Sequence, residues 1–514
     1  MDKEILIEPL GNIFKTTSGG TPSRRKPEFY HGNIPWVKSG ELENNIIYGT
    51  EEKITDDAIK NSSAKIFPAG TLLIALYGAT IGKLAFLGIK ATTNQAVCGI
   101  FDNGVILSKY TYYYLLFRRQ KLIQSGMGGA QPNISQDIVR KQPFPIIPLP
   151  EQRAIVSKIE QLFSDLDNGI ENFEKAQKQL KIYRQAVLKK AFEGELTGKW
   201  REEQTDLPSS KELLQQIKEE REKHYQKQLD EWKKAVKDWE DNGKEGKKLS
   251  RPKKPKELPP LSDAELKELP ELPEKWCWIK VDKLLEHDQY SIKAGPFGSA
   301  LKKQFYVKSG YKIYGQEQVI SGNPYFGDYY IDNNKYNELI SCAIKPQDIL
   351  ISLVGTVGKV LVLPDNIEHG IINPRLIKIS LNESFYKTIF FKYYFESMFL
   401  KSLYKIHAHG ATMEIINLGI IRDLPFPFCS TQEQNQIVRE IETRLSVCNK
   451  LETTIAEALQ KSETLRQSIL KKSFEGKLLS KKELEEARNA PDWEPAEKLF
   501  ERIKAEKKII REEK

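Results

Sequence analysis

"LKKAFEGELT" (Leu188 to Thr197) returns almost letter for letter as "LKKSFEGKLL" (Leu470 to Leu479). The two decamers end a longer match at a constant offset of about 282 residues, a period that marks an internal repeat. "FPIIPLPEQRAIVSKIE" (Phe144 to Glu160) lies over "FPFCSTQEQNQIVREIE" (Phe426 to Glu442), and both copies run on into the decamers without a gap. Each copy predicts a Phe-Pro strand, a Glu-Gln step, and then about 40 helical residues with no internal proline. Pro150 and its neighbours suit a helix start, and the Gly of each "FEG" suits the left-handed residue that ends a helix.

The helices carry an a/d seam. In the first, Ile159, Leu166, Phe173, Leu180 and Val187 recur every seven residues, interleaved with Ile155, Leu162, Ala176 and Tyr183. The second keeps Ile437, Ile441, Cys448, Leu451, Ile455, Ala458, Leu465 and Ile469, while Arg444 and Ser462 break the pattern. A helix of this length reaches roughly 60 Å, more than one domain can cover. The seams are therefore expected to bury each other in an antiparallel pair, a rod with a globular domain near each end.

The repeat continues past the decamers, since "KELLQQIKEER" (Lys211 to Arg221) echoes "EKLFERIKAEK" (Glu497 to Lys507). Between the halves, the charged stretch ending in "RPKKPKELPP" reads as a helix followed by an exposed linker, and "LPEKWCWIKVDKLL" restarts a folded domain at about Leu272. The globular parts share a plan: "FPAGTLLIALYGATIGKLAFL" (Phe67 to Leu87) matches "IKPQDILISLVGTVGKVLVLP" (Ile344 to Pro364), and "NIPWVKSGEL" (Asn33 to Leu42) matches "GYKIYGQEQV" (Gly310 to Val319). A tyrosine-rich helix also recurs, at Lys109 to Arg119 and at Phe385 to Phe395. The expected class is α+β, with mixed sheets in two domains separated by two long antiparallel coiled-coil helices. The expected boundaries are 1–150 and 272–432 for the domains, 151–196 and 433–479 for the spacer helices, 197–271 for a helical, charged linker, and 480–514 for a helical tail.

With 514 residues, 39% hydrophobic, the chain has material for several cores. It has no apolar run of about 20 residues and no signal peptide, so a cytoplasmic location and no membrane partner are expected. Five scattered cysteines show no metal or disulfide spacing, and a net charge of +9 is compatible with a polyanion partner. "GATIGKL" at Gly78 is one residue short of a phosphate loop and has Leu84 where that loop needs Ser or Thr, so it reads as a turn. "NPYF" at Asn323 has no cofactor loop with it, and "HAH" at His407 has no partner at ligand spacing. No catalytic or metal-binding residue is assigned, and the chain reads as a binder.

Taken in order, "SGGTPSRRKPEFYHGNIPWVKSGEL" (Ser18 to Leu42), the Gly-Ala-Thr-x-Gly-Lys turn, "TNQAV" (Thr93 to Val97), "PLPEQRAIVSKIE", the two "LKKxFEGxL" decamers and "LPEKWCW" resemble the specificity subunit of type I restriction-modification enzymes. The second copy departs from the pattern, with "STQEQNQ" and "INPRL" in place of "PLPEQRA" and "TNQAV". The resemblance implies two target recognition domains, each reading one part of a split site in double-stranded DNA. It also implies spacer helices that seat two methyltransferase subunits. The methyltransferases would bind S-adenosylmethionine and methylate adenine, restriction and motor subunits would use ATP and magnesium, and this chain would hold no cofactor.

Phosphate positioning needs Arg and Lys, and base reading favours Arg, Lys, Asn and Gln on loops. The candidates are Arg24, Arg25, Lys26, Lys38, Lys83, Gln131 and Asn133 in the first domain, with Lys302, Lys303, Lys312, Gln316 and Lys359 in the second. Trp36 and Tyr77 read as core. A stand-alone bipartite DNA-binding regulator would explain the duplication but not the long helices. A coiled-coil scaffold would explain the helices but not two elaborate domains.

Overall fold

Short apolar runs closed by glycine or proline form the strands of both halves, since four or five extended residues suffice when both faces are covered. The computed structural model describes residues 5–126, 133–244, 249–252, 254, 257–353, 358–407 and 417–512. In the first domain Leu72–Ala75, buried throughout, is the central strand of a five-stranded sheet. The order across that sheet is Thr16–Ser18, Val97–Ile100, Leu72–Ala75, Leu84–Leu87 and Asn45–Ile47. A three-stranded sheet lies beside it in the chain's plan, with Ile34–Val37 between antiparallel Glu52–Ile54 and parallel Thr92–Thr93.

The second domain repeats this arrangement with one strand fewer. Its larger sheet runs Ile292–Ala294, Leu376–Ile379, Ile349–Ser352, Val360–Val362, and its smaller one places Tyr311–Tyr314 between antiparallel Tyr330–Ile331 and parallel Gly370–Ile372. The Phe-Pro segments form strands as expected: Pro143–Ile146 pairs with Leu6–Pro9, and Pro425–Phe428 with Cys277–Lys280. Each is a two-stranded ribbon, where proline's missing donor is tolerated.

The two long helices are Leu149–Phe192 and Thr431–Phe474. The chain forms two units, one of Met1–Lys175 with Ile455–Lys514 and one of Ala176–Thr454. Each unit therefore holds the start of one long helix and the end of the other. Within the first, Asp167 in the starting half of one helix pairs with Arg466 in the closing half of the other, an antiparallel arrangement, and Lys158 reaches Glu483 of the following short helix Lys481–Arg488 at 2.9 Å. Within the second, Arg184 in the closing half of the first helix pairs with Glu452 in the starting half of the second at 2.9 Å, again antiparallel, and Arg201 of the short helix Gly198–Glu202 pairs with Glu433 at 2.7 Å.

Seam residues Ile159, Val187, Ile441, Cys448, Ile455 and Ile469 are buried, and Leu166, Phe173 and Leu180 are half-buried. Leu465 departs from expectation: it is 49% exposed, as are Leu451 and Tyr183 to a similar degree. The neighbouring arginine turns inward instead in two of these cases. Arg466 stacks 4.8 Å from the Phe163 ring, and Arg184 reaches Glu452. A two-helix pair covers each seam position from one side only, so a long side chain that both packs and pairs can displace a leucine.

The closing glycines take the left-handed conformation, with φ of 76° at Gly194 and 70° at Gly476. The phenylalanine before each is what the repeat preserves. Phe474 lies among Tyr110, Tyr114 and Phe117 with ring centroids 5.4, 5.1 and 5.6 Å away. Phe192 does the same with Phe390 and Tyr394 at 5.2 and 4.9 Å. Each helix thus ends on the tyrosine-rich helix of the other repeat. The shorter helices that follow are also core elements rather than appendages: Leu213 and Ile217 of Ser210–Asp241 are buried in the second unit, and Leu499, Phe500 and Ile503 of Ala496–Glu512 in the first.

Candidate nucleic-acid interface

In both domains one loop joins the first strand of the larger sheet to a short 3-10 turn, and it is held the same way. Ser18 to Gly32 ends in the turn Pro27–Tyr30, and Ala294 to Gly310 contains the turn Lys303–Phe305. Lys26 and Lys302 stand at the same place, immediately before the turn. Gly19 donates to the Val97 carbonyl at 3.1 Å and Gly295 to the Leu376 carbonyl at 2.9 Å. A Cβ on Gly19 would sit 2.1 Å from the Thr93 carbonyl oxygen, and one on Gly295 would sit 1.8 Å from that of Asn373. Only glycine allows this approach. The partner segments are "TNQAV" and "INPRL", whose Asn94 and Asn373 side chains each cap the amide two residues on.

The candidate cations of the first domain divide into those paired with carboxylates and those exposed without such a pair among the described residues. Arg24 makes a two-pronged contact with Glu52 at 2.7 and 3.1 Å and stacks 4.1 Å from the Tyr30 ring. Lys38 reaches Glu51 at 2.7 Å and Glu52 at 3.2 Å. The Arg24 guanidinium holds the Glu52 carboxyl below its usual range, and Glu51 and Glu52 hold the Lys38 ammonium above its own. Two of the expected phosphate contacts are thus already matched by carboxylates on the neighbouring strand. Arg25 and Lys26 are exposed, with the Lys26 ammonium 5.1 Å from the Phe29 ring. Trp36 is core, its indole donating to the Gly20 carbonyl at 3.0 Å. Tyr77 is not: it is 38% exposed and bridges to exposed Asn133, which brings a ring and an amide to one edge. Lys83 is half-buried, and Gln131 lies outside the described residues.

In the second domain Lys302, Lys303 and Lys359 are exposed. Lys312 is 2% exposed, with its ammonium 2.6 Å from Glu368 and 3.1 Å from the Tyr325 carbonyl, so it leaves the candidate set. A buried, fully matched ammonium has nothing left to offer a phosphate. Gln316 donates to the Ser352 hydroxyl at 2.8 Å and accepts from Arg375 at 3.3 Å. Arg375, exposed and beside the loop's glycine anchor, is a residue that sequence reasoning passed over. Its signal was the substitution of "INPRL" for "TNQAV", which places an arginine where the first domain has Ala96.

The glycine turns behave as turns. Gly78, Gly82 and Gly358 take positive φ, and Leu84–Leu87 after the first is a strand, not the helix a phosphate loop feeds. Residues 354–357 and most of "HAH" lie outside the described residues. Among the described residues no group of three or more His, Cys, Asp or Glu could hold a metal ion, and no helix is long and apolar enough to cross a membrane. Burial pushes the Cys98 thiol up to about 12.

The chain matches the family described as "Type I restriction modification DNA specificity domain" over residues 6–175 and 297–461. It is 29% identical over 191 residues to the EcoR124I/EcoR124II specificity subunit of Escherichia coli, across 35% of this chain and 47% of that one. It is 32% identical over 177 residues to the MjaIX specificity subunit of Methanocaldococcus jannaschii, across 33% and 39%. The aligned part spans less than half the length of either relative. A solved chain from work on complex assembly and conformational transition of the type I R-M system superposes with a TM-score of 0.62 at 16% identity, over 92% of this chain and 98% of that chain, which establishes the shared fold.

Proposed function

Because the chain belongs to the type I restriction-modification DNA specificity family, we propose that it is the sequence-reading subunit of such a system. In this reading each domain recognises one part of an asymmetric, bipartite site in double-stranded DNA. The observation that carries it is the duplicated loop: two domains with different surface letters hold a cation-bearing loop on the same glycine anchor beside the same Asn turn. A shared frame with divergent tips is what two readers of different sub-sites require.

The loops contribute positioning through Arg25, Lys26, Lys302 and Lys303, and segments outside them contribute base-edge contacts through Asn133, Gln316 and Arg375. Arginine suits guanine and the amides suit adenine. Two adenine methyltransferase subunits, carrying S-adenosylmethionine, and motor subunits using ATP and magnesium would supply the chemistry in the cytoplasm. This chain, holding no cofactor, would supply the address. Isolated, it should neither methylate nor cleave DNA.

Adenine-methylome sequencing of cells expressing this chain with its methyltransferase partner tests the proposal. One bipartite motif is expected. Replacing residues 273–425 with the corresponding domain of a relative should change one half of that motif and leave the other intact. No motif, or a motif altered on both sides, would defeat the reading.

A further inference from the structure

Phe297 is 91% exposed, at the first turn of the Ala294 to Gly310 loop. A phenyl ring left in water is uncommon, and here the chain beneath it is fixed. Gly295 is locked against Asn373 and Leu376, the Ala300 amide closes a turn onto the Phe297 carbonyl at 2.8 Å, and Leu301 is buried. Exposed Lys302 and Lys303 follow directly, and Arg375 lies in the segment that anchors the loop. In the first domain the corresponding position is Thr21, whose hydroxyl bonds to Gln95. The two loops share a frame and differ at this position.

Resting on the DNA-reading function above, we propose that Phe297 is an apolar wedge that enters the duplex at one base step of the half-site read by the second domain. Side chains of this kind partly unstack a step while flanking cations hold the phosphates. DNA is favoured over a protein partner because the same loop carries exposed Lys302 and Lys303, a residue type that protein interface cores exclude. The distortion belongs to one half-site only, since Thr21 is too small and polar to act in this way.

The test uses the full chain in complex with its methyltransferase subunit and a duplex bearing the methylated motif. 2-Aminopurine is placed in turn at steps of the second half-site other than the methylated adenine, so that flipping of the target base does not contribute. The wild type should brighten at one step. Phe297→Ala should abolish that signal and weaken specific binding about tenfold, with an unchanged salt slope because no phosphate contact is lost. Phe297→Trp should keep both signal and affinity. As the ring is exposed, the melting temperature should not move. Equal fluorescence and affinity in Phe297→Ala would overturn the proposal, as would a reduced salt slope. Loss of co-purification with the methyltransferase at unchanged DNA affinity would also overturn it, placing the ring against a protein. A wild-type complex with no sequence-specific binding would instead sink the underlying DNA-reading function.

Discussion

Glu433 and Glu151 occupy the same place in the two repeats, yet the surroundings separate them. Glu433, 1% exposed, accepts from Arg201 at 2.7 Å, the Trp276 indole at 2.8 Å and Thr197 at 2.8 Å. Glu151 accepts from Arg488 at 3.3 Å and Trp493 at 3.5 Å, and that arginine is 42% exposed. Removing one partner of a buried pair strands the other charge, so Glu433→Ala should cost about 3 kcal/mol. Glu151→Ala should cost less, and chemical denaturation that ranked them the other way would contradict this. The same scale decides the cations. Arg25→Ala should flatten the salt dependence of DNA binding by about one phosphate contact. Arg24→Ala should instead release Glu52 and Tyr30, lowering stability with little change in slope. The basic loop was legible as a run of letters; its pairing was not, because Glu51 and Glu52 stand at the start of the Glu52–Ile54 strand, which only folding brings alongside.

His287 adds a pH dependence. Its buried Nε2 has no hydrogen-bond partner among the described residues, and burial first, then Arg221 and His224, hold its pKa below the usual value against the opposing pull of Glu220 and Glu286. A depressed histidine binds protons more readily unfolded than folded. Stability is then lost as pH falls below the unfolded value of about 6.5. His287→Gln should remove that loss, and an equal loss in wild type and variant between pH 7 and 5 would assign the acid sensitivity to other groups.

At the scale of elements, the Glu-Gln step and the decamer work together at each end of the long helices. Gln152 accepts from the Leu107 amide at 2.9 Å and donates to the Ile147 carbonyl at 2.8 Å. Gln434 accepts from the Lys387 amide at 2.7 Å and donates to the Phe385 and Cys429 carbonyls at 2.8 and 2.9 Å. These bonds tie each helix start to the tyrosine-rich helix of its own repeat, while the decamer's phenylalanine ties the end to that of the other. Phe192→Ala should therefore cost about 3 kcal/mol and speed amide exchange in Thr388–Phe395, although Phe192 belongs to the first repeat. Faster exchange confined to Ser108–Ser125 would contradict the swap. Helix length, the stop at each glycine and most of the seam were readable from heptad spacing. The choice of Arg466 over Leu465 was not, because spacing does not show which of two adjacent side chains finds a partner.

For the whole molecule, the proposed reading makes the paired helices the ruler between the two readers. Adding one heptad to each, between Ala176 and Tyr183 and between Ala458 and Leu465, keeps the seam in phase. It lengthens the helices by about 10 Å, or roughly three base pairs. The methylated motif should keep both half-sites while its unread gap grows, with activity reduced by the added rotation. An unchanged gap in an active variant would show that the helices do not set the spacing.

The sequence by itself determined the duplication, the α+β domains, the two long helices and the family, because periodicity, glycine stops and ordered motifs are local properties written in consecutive letters. Tertiary structure alone decided that each decamer docks on the other repeat's aromatic helix, that Lys312 is an internal ion pair, and that Arg24 and Lys38 are matched by Glu52. It also decided that Phe297 stands in water. Each of these depends on which distant segment lies within a few ångströms, and burial and charge pairing follow from that proximity rather than from residue type.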